Sequence, residues 1–350
     1  MNFVILMNLM NNVLRLGGRA MSKDYFVFSS GRMKRHHNTF YFIEEDGQKR
    51  SLPIHQIDNL YLFGKLDMNT DFLQLLNQHG VTLHLFNYYG FYSGSFNPRQ
   101  QKVSGFTLVN QAAHYLHKNK RLYLAGKFVD SATFHMLRNL RRYKDKSGVS
   151  EVIKTLQSIK GQMNQATSIT ELMGFEGIFR QQYYQAFNYF LNDDFAFDDR
   201  TKRPPKDPLN ALISFGNSLC YTKVLAEIYK THLDPTISFL HEPSTKRFSL
   251  SLDIAEIFKP LIVDAVIFSL INKRQLNVKE DFEYIDEMVL LNEQGRKKFL
   301  KEWVRKLQTT VQHRVLKRNT SYQYMIRLEA YKLIKHFIGD QKYKPLRAWW

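Results

Sequence analysis

The sequence predicts an α+β protein with a small β-rich N-terminal domain followed by a larger all-α C-terminal domain. Three observations carry that expectation. From residue 24 to about 97 the chain runs in short β-branched and aromatic stretches punctuated by turn residues. From about 111 to 338 the apolar residues recur instead at i, i+3 and i+4. Between the two, NPRQQKVSG (97–105) follows neither pattern. The boundaries expected from this are an N-terminal extension over 1–20, a β-rich domain over 21–105, a helical domain over 106–338 and a C-terminal tail over 339–350.

Taken in order, the opening MNFVILMNLMNNVLRLGGRA is apolar, but asparagines interrupt it and no basic residue precedes it, so it makes a poor secretory signal. Met21 then opens MSKDYFVFSS, which reads as a natural start, and 1–20 is expected to lie outside the fold. DYFVFSS, NTFYFIEE, KRSLPI and IDNLYLFG read as strands, with Asp46-Gly47 supplying the turn between the second and third. GRMKRHHN (31–38) reads as a basic hairpin turn, either a solvated loop or a contact for DNA phosphate. TDFLQLLNQHG has helical spacing and ends on Gly80, a helix-terminating glycine. VTLHLFN and FYSGSF return to strand.

Beyond the linker, the helical spacing runs through AAHYLHKNKRLYLAGKFVDSATFHMLRNLRRY, SEVIKTLQSIKGQM, SITELMGFEGIFRQQYYQAFNYFL and LNALISFGNSLCYTKVLAEIYKTHL. NEQGRKKFLKEWVRKLQTTV and SYQYMIRLEAYKLIKHFIG continue it, and no repeat period emerges. The most apolar run, 252–271, carries Asp253, Glu256, Lys259 and Asp264, so it reads as a buried helix and not a membrane span.

Charge narrows the partners. Fifty Lys and Arg against 32 Asp and Glu leave a net charge of +18, which on a folded chain points to a polyanion, nucleic acid ahead of acidic lipid. Cys220 is the only cysteine, which rules out an internal disulfide and a cysteine zinc site. The expected address is the cytoplasm.

Three places in the helical half stand apart from ordinary surface charge. Glu176, in LMGFEGIFRQQYY, lies in an apolar helical pattern between Gly174 and Gly177. Each helix-interior glycine costs about 1 kcal/mol against alanine, so the pair implies close packing or function. The alternative is a half-exposed Glu paired with Arg180 at i+4. His241 lies in a short polar turn, where solvated and capping roles compete with ligation. Asp253 and Glu256, three residues apart, share a helix face near the start of their element, and Pro260 removes the donor for the Glu256 carbonyl, which predicts a kink or restart. Imidazole with carboxylates suits Mg²⁺ or Mn²⁺ in phosphoryl transfer, or Zn²⁺ in a hydrolase. RPPKDPLNALISFGNSLCY (203–221) begins as an extended strap and enters a helix through Asp207, Pro208 and Asn210, either a phosphate-facing edge or simply a capped helix.

These motifs, in their order and spacing over residues 21–350, resemble the CRISPR-associated spacer-acquisition integrase/endonuclease, the Cas-one family, in its type I-B form. The stretches that carry the resemblance are SSGRMKRHHNTFYF, LMGFEG, RPPKDPLNALISFGNSL, FLHEP with RFSLSLDIAEIFKPLIVD, NEQGRKKFL and SYQYMIRLEAYKLIKHFIGDQKYKPLRAWW. The resemblance implies a β-rich N-terminal and a helical C-terminal domain. It also implies a divalent-metal site, Mg²⁺ or Mn²⁺, whose ligands match Glu176, His241 and Glu256, with Asp253 as a nearby acid. Family members often have Asp where this chain has Glu256. It further implies homodimers joined by a small ferredoxin-like Cas-two partner around double-stranded DNA, with no membrane.

The chemistry so implied is attack by the 3′-hydroxyl of a short DNA fragment on a phosphodiester at the edge of a CRISPR repeat. No protein nucleophile is needed. Asp253 would orient a ligand or hold a second ion, while Lys259 and Arg203 are candidate phosphate contacts. A metal-dependent nuclease on branched DNA and a non-catalytic DNA-architectural protein are the competing expectations.

Overall fold

The computed structural model describes residues 23–99, 103–202, 204–245 and 248–350. The expected 1–20 extension and Arg203 lie outside these. The described residues fall into two compact units that divide after Gln101.

In the first unit the chain forms β1 (Lys23–Val27), β2 (Gly31–His36), β3 (Thr39–Glu44), β4 (Lys49–Leu52), β5 (Ile57–Leu62), β6 (Leu66–Met68), α1 (Thr70–His79), β7 (Thr82–Phe86) and β8 (Tyr92–Phe96). One sheet runs β1-β5-β7-β8, parallel except for β8, and the other runs β4-β3-β2-β6, antiparallel except for β6. Leu60, Tyr61 and Leu62 of β5 are buried in succession because the strand lies inside its sheet and is covered on both faces. The Asn69 side chain caps α1 by accepting from Phe72 N at 3.1 Å, and Gly80, at φ +68°, ends it in the left-handed conformation. Phe72, Leu75 and Leu76 of that helix share a core with Met33, Phe40, Phe42, Leu60 and Leu83.

The basic stretch 31–38 is mostly strand. Met33 points into the core while Arg32 and Lys34 on either side are exposed, a two-residue alternation that the density of basic residues hides. His37, at φ +51°, makes the turn into β3.

The second unit is helical: α2 (Gly105–Leu116), α3 (Lys118–Arg141), α4 (Val149–Met163), α5 (Ile169–Gln185), α6 (Pro208–Ile228), α7 (Ser249–Phe258), α8 (Asp264–Asn272), α9 (Glu293–Gln308) and α10 (Tyr322–Phe337). α6 and α7 are buried along nearly their whole lengths, and α3 and α6 pack against α7. The run 252–271 is therefore core helix. A π turn over Lys259–Val263 joins α7 to α8 at Pro260, the interruption expected there. Among the described residues no helix is long and apolar enough to cross a membrane.

Two details depart from the sequence reading. The helical unit also carries two ribbons, β9 (Phe282–Ile285) with β10 (Met288–Leu291), and β11 (Thr310–Gln312) with β12 (Asn319–Ser321). Strands of three or four residues are too short for period 2 to separate from period 3.6. The segment 339–350, expected as a tail, is a packed strap. Tyr343, Leu346 and Ala348 are buried, Tyr343 donates its hydroxyl to Glu329 Oε1 at 2.6 Å, and Ala348 N donates to His135 Nε2 at 3.0 Å. Lacking helical period, the segment shows its buried face only once a groove receives it.

Candidate active site

α5 supplies the first element. Ser168 caps it by accepting from Glu171 N at 3.2 Å, and Glu171 reaches back to accept from Thr167 N at 2.8 Å, so the helix start is held from both sides. With the register set, Glu176 and Arg180 lie one turn apart, and Arg180 Nε donates to Glu176 Oε1 at 2.6 Å. The pairing weighed for Glu176 thus forms. Spacing along one helix does not reveal its extension: the same guanidinium also donates through Nη2 to Glu256 Oε2 on α7.

Glu256 is almost fully buried, and Lys259 Nζ donates to its other oxygen at 2.6 Å. Burial alone would push this carboxyl up. The charges of Arg180, Lys259 and His241 overcome it and hold Glu256 well below the usual carboxylate range. Lys259, a candidate phosphate contact, here offsets the acid beside it.

Asp253, completely buried, works on the loop before α7. Its Oδ2 accepts from Phe239 N at 2.6 Å and Leu240 N at 3.0 Å, and its Oδ1 accepts from His241 N at 3.0 Å and His241 Nδ1 at 2.8 Å. Arg121 Nε adds a bond to Phe239 O at 3.0 Å. The carboxylate is therefore the clamp of the 239–241 loop. With Nδ1 given to Asp253, Nε2 is the imidazole atom left for a ligand. Burial pushes His241 down, but the bond and charge of Asp253 and the charge of Glu256 outweigh it, and the net shift is upward.

Beneath the acids runs a polar chain that the sequence reading missed. Asn139 on α3 donates to Pro260 O at 2.8 Å and to Tyr183 OH at 3.1 Å, and Tyr183 donates to Asp264 Oδ2 at 2.7 Å. It satisfies the Pro260 carbonyl in the π turn and ties α3, α5 and α8 together. Tyr183 is three residues beyond Arg180 on α5 and so could have been placed on its face, but Asn139 left no such trace.

Not every candidate is drawn in. Among the described residues no three His, Cys, Asp or Glu side chains lie together at metal-holding range; Glu176 and Glu256 are joined through Arg180. Gly174 and Gly177 do not mark close packing, since a Cβ at either would meet nothing within 4 Å. They leave bare helix backbone open beside Glu176. Asp207 is a helix cap, accepting from Asn210 N at 2.7 Å, with Pro208 in the first turn, so the strap ends as the capped helix. Lys202 is exposed, and the charges of Arg200, Arg180 and Lys259 act on it, so the acids sit within a basic surround.

Comparison with known proteins places the chain among relatives of matching sequence and fold. The family model for CRISPR associated protein Cas1 matches residues 25–305. A CRISPR-associated endonuclease Cas1 of Clostridium perfringens is 56% identical over 333 residues, covering 94% of this chain and all of the relative. The structure of a Cas1 protein from Thermotoga maritima matches with TM-score 0.84 at 38% identity, covering 93% of this chain and 100% of that one. A casposase bound to integration product matches with TM-score 0.78 at 21% identity over 91% of this chain and 92% of its own, a likeness of fold alone.

Proposed function

The chain belongs to the Cas1 family of CRISPR-associated endonucleases, and on that premise we propose that it is a divalent-metal-dependent DNA integrase that joins short fragments into a CRISPR array. The observation that carries the reading is the convergence of Glu176 and Glu256, from two helices, on one guanidinium beside a histidine whose Nδ1 is already taken.

The chemistry of these side chains fits the implied ion, although Glu176, Glu256 and His241 have to draw together to reach metal-holding range. Two carboxylates that gather cations, with one imidazole nitrogen left open, form the oxygen-rich donor set that Mg²⁺ or Mn²⁺ prefers. Glu176, Glu256 and His241 would hold it, and when bound it supplies activation of a hydroxyl and charge neutralisation at phosphate.

The chain's own residues do the rest. Asp253 fixes the ring and tautomer of His241. Asn139 and Tyr183 brace the π turn that carries Lys259 and follows Glu256. Lys202 and Lys259 bring positive charge to where a phosphodiester would sit. The exposed glycines of α5 let a nucleic-acid backbone approach closely. With +18 over the chain, double-stranded DNA is the partner, held by a homodimer with a Cas2 subunit in the cytoplasm.

The test is strand transfer with purified Cas2, a short duplex and a supercoiled plasmid bearing a repeat, with and without Mg²⁺ or Mn²⁺. Fragment-joined products that need the ion support an integrase. Nicks alone favour a nuclease, and neither product with binding retained favours an architectural protein.

A further inference from the structure

A guanidinium bridges two glutamates that are proposed to hold a dication, and both oxygens of Glu256 are already taken, one by Arg180 and the other by Lys259, so an arriving dication competes with a like charge already in place. Arg180 must therefore go elsewhere when the ion arrives. A guanidinium whose side chain is only 16% exposed does not simply lose its anions, because an unpaired charge there is costly.

An acceptor suited to receive it stands at the start of α8. Asp264 opens α8, one π turn beyond Lys259, and is 2% exposed. Its Oδ2 accepts from Tyr183 OH at 2.7 Å, whereas its Oδ1 is buried with no hydrogen-bond partner among the described residues. Tyr183 is three residues beyond Arg180 on α5, so the residue that touches Asp264 shares the face from which Arg180 projects. Burial pushes Asp264 up to about 7, against the pull of Tyr183 and of the Arg180 and Lys259 charges. A carboxyl in that condition gains most from a cation brought into contact.

We infer that Arg180 is an internal placeholder cation that holds Glu176 and Glu256 together before a divalent ion binds, and that ion entry transfers its guanidinium to the open Oδ1 of Asp264. The inference rests on the metal reading given above. It makes Asp264 a positioning residue with no contact to ion or DNA, acting through Arg180.

The experiment measures Mn²⁺ affinity of the full chain from the electron paramagnetic resonance signal of free Mn²⁺, with no DNA present. Five variants are compared: Arg180→Ala, Arg180→Lys, Asp264→Asn, the double variant Arg180→Ala with Asp264→Asn, and Glu256→Ala. Arg180→Ala removes the competitor, and Mn²⁺ binds about tenfold tighter or more; Asp264→Asn removes the receiver, and Mn²⁺ binds about tenfold weaker. In the double variant the Asp264 effect disappears to within about twofold, because there is no guanidinium left to receive.

An Asp264→Asn loss that persists undiminished without Arg180 would show a direct field effect and overturn the transfer. An Arg180→Ala affinity no tighter than wild type would overturn the placeholder role. If circular dichroism shows Arg180→Ala unfolded, Arg180→Lys decides the placeholder role: the shorter lysine has no planar fork to span glutamates on two helices, so tightening is expected and its absence overturns the inference. Absence of saturable Mn²⁺ binding in the wild type and in every folded variant would overturn the metal reading itself, whereas binding that Glu256→Ala abolishes but Arg180 and Asp264 do not alter overturns this inference alone.

Discussion

Asp253 Oδ1 accepts from His241 twice, from the backbone N–H at 3.0 Å and from ring Nδ1 at 2.8 Å. A carboxylate oxygen can only accept, so the ring proton sits on Nδ1 and the orientation of the imidazole is set from inside the fold.

Asp253→Asn should therefore damage site and fold together. The amide offers one acceptor oxygen and turns an NH₂ toward backbone N–H groups that have no other partner among the described residues. A loss of at least about 2 kcal/mol is expected from buried donors left unpaired. Urea unfolding reads the stability and strand transfer reads the site; a variant with wild-type midpoint and wild-type transfer would remove the clamp role.

Replacing Glu176, His241 or Glu256 by alanine should each nearly abolish strand transfer. The losses should be grossly non-additive, because a ligand set missing one member is already broken. Duplex binding measured by gel shift should survive, since its contacts come from lysines and arginines. His241→Ala integrating at the wild-type rate in Mg²⁺ would remove this histidine from the site.

Duplex affinity should fall steeply with salt. For contacts dominated by phosphate, log K against log[salt] slopes by about −0.9 per neutralised phosphate. Fluorescence anisotropy over a salt series measures it. A flat line would assign the +18 charge to a protein partner instead.

His135 predicts an acid-labile strap. Its Nδ1 donates to Ile257 O at 3.2 Å and its Nε2 accepts from Ala348 N, so the ring is neutral in the fold, and burial lowers its pKa to about 3. The unfolded chain takes up the proton near 6.5 while the folded chain refuses it until about 3. Stability is thus full above pH 6.5 and falls as pH drops through that window, by about 1.5 kcal/mol between 6.5 and 5. His135→Asn should be less stable at pH 7 yet show a smaller fall between pH 6.5 and 5 in urea titrations. An equal fall in both proteins would mean the ring is not buried neutral.

Much of the fold was legible because it is written in local spacing. Short β-branched and aromatic stretches marked β1, β3, β5 and β7, Gly80 and Asp46-Gly47 punctuated them, and the i, i+3, i+4 recurrence marked the helices of the second unit. Pro260 announced the break that appears as a π turn. The pairing of Glu176 with Arg180, and the common helix of Asp253 and Glu256, follow from the same arithmetic, since residues three or four apart on a helix must be neighbours.

Tertiary structure alone decided which buried groups meet. Nothing in the spacing of α5 and α7 says that one guanidinium reaches Glu256 as well as Glu176, or that Asp253 faces the 239–241 loop. Nor could it show that residues 339–350 fill a groove lined by His135 and Glu329, or that Asp264 is left with an open oxygen. Period and capping are properties of a single segment and survive in the isolated chain. Partner choice and desolvation belong to pairs of segments far apart in sequence, and arise only when their buried faces close on one another.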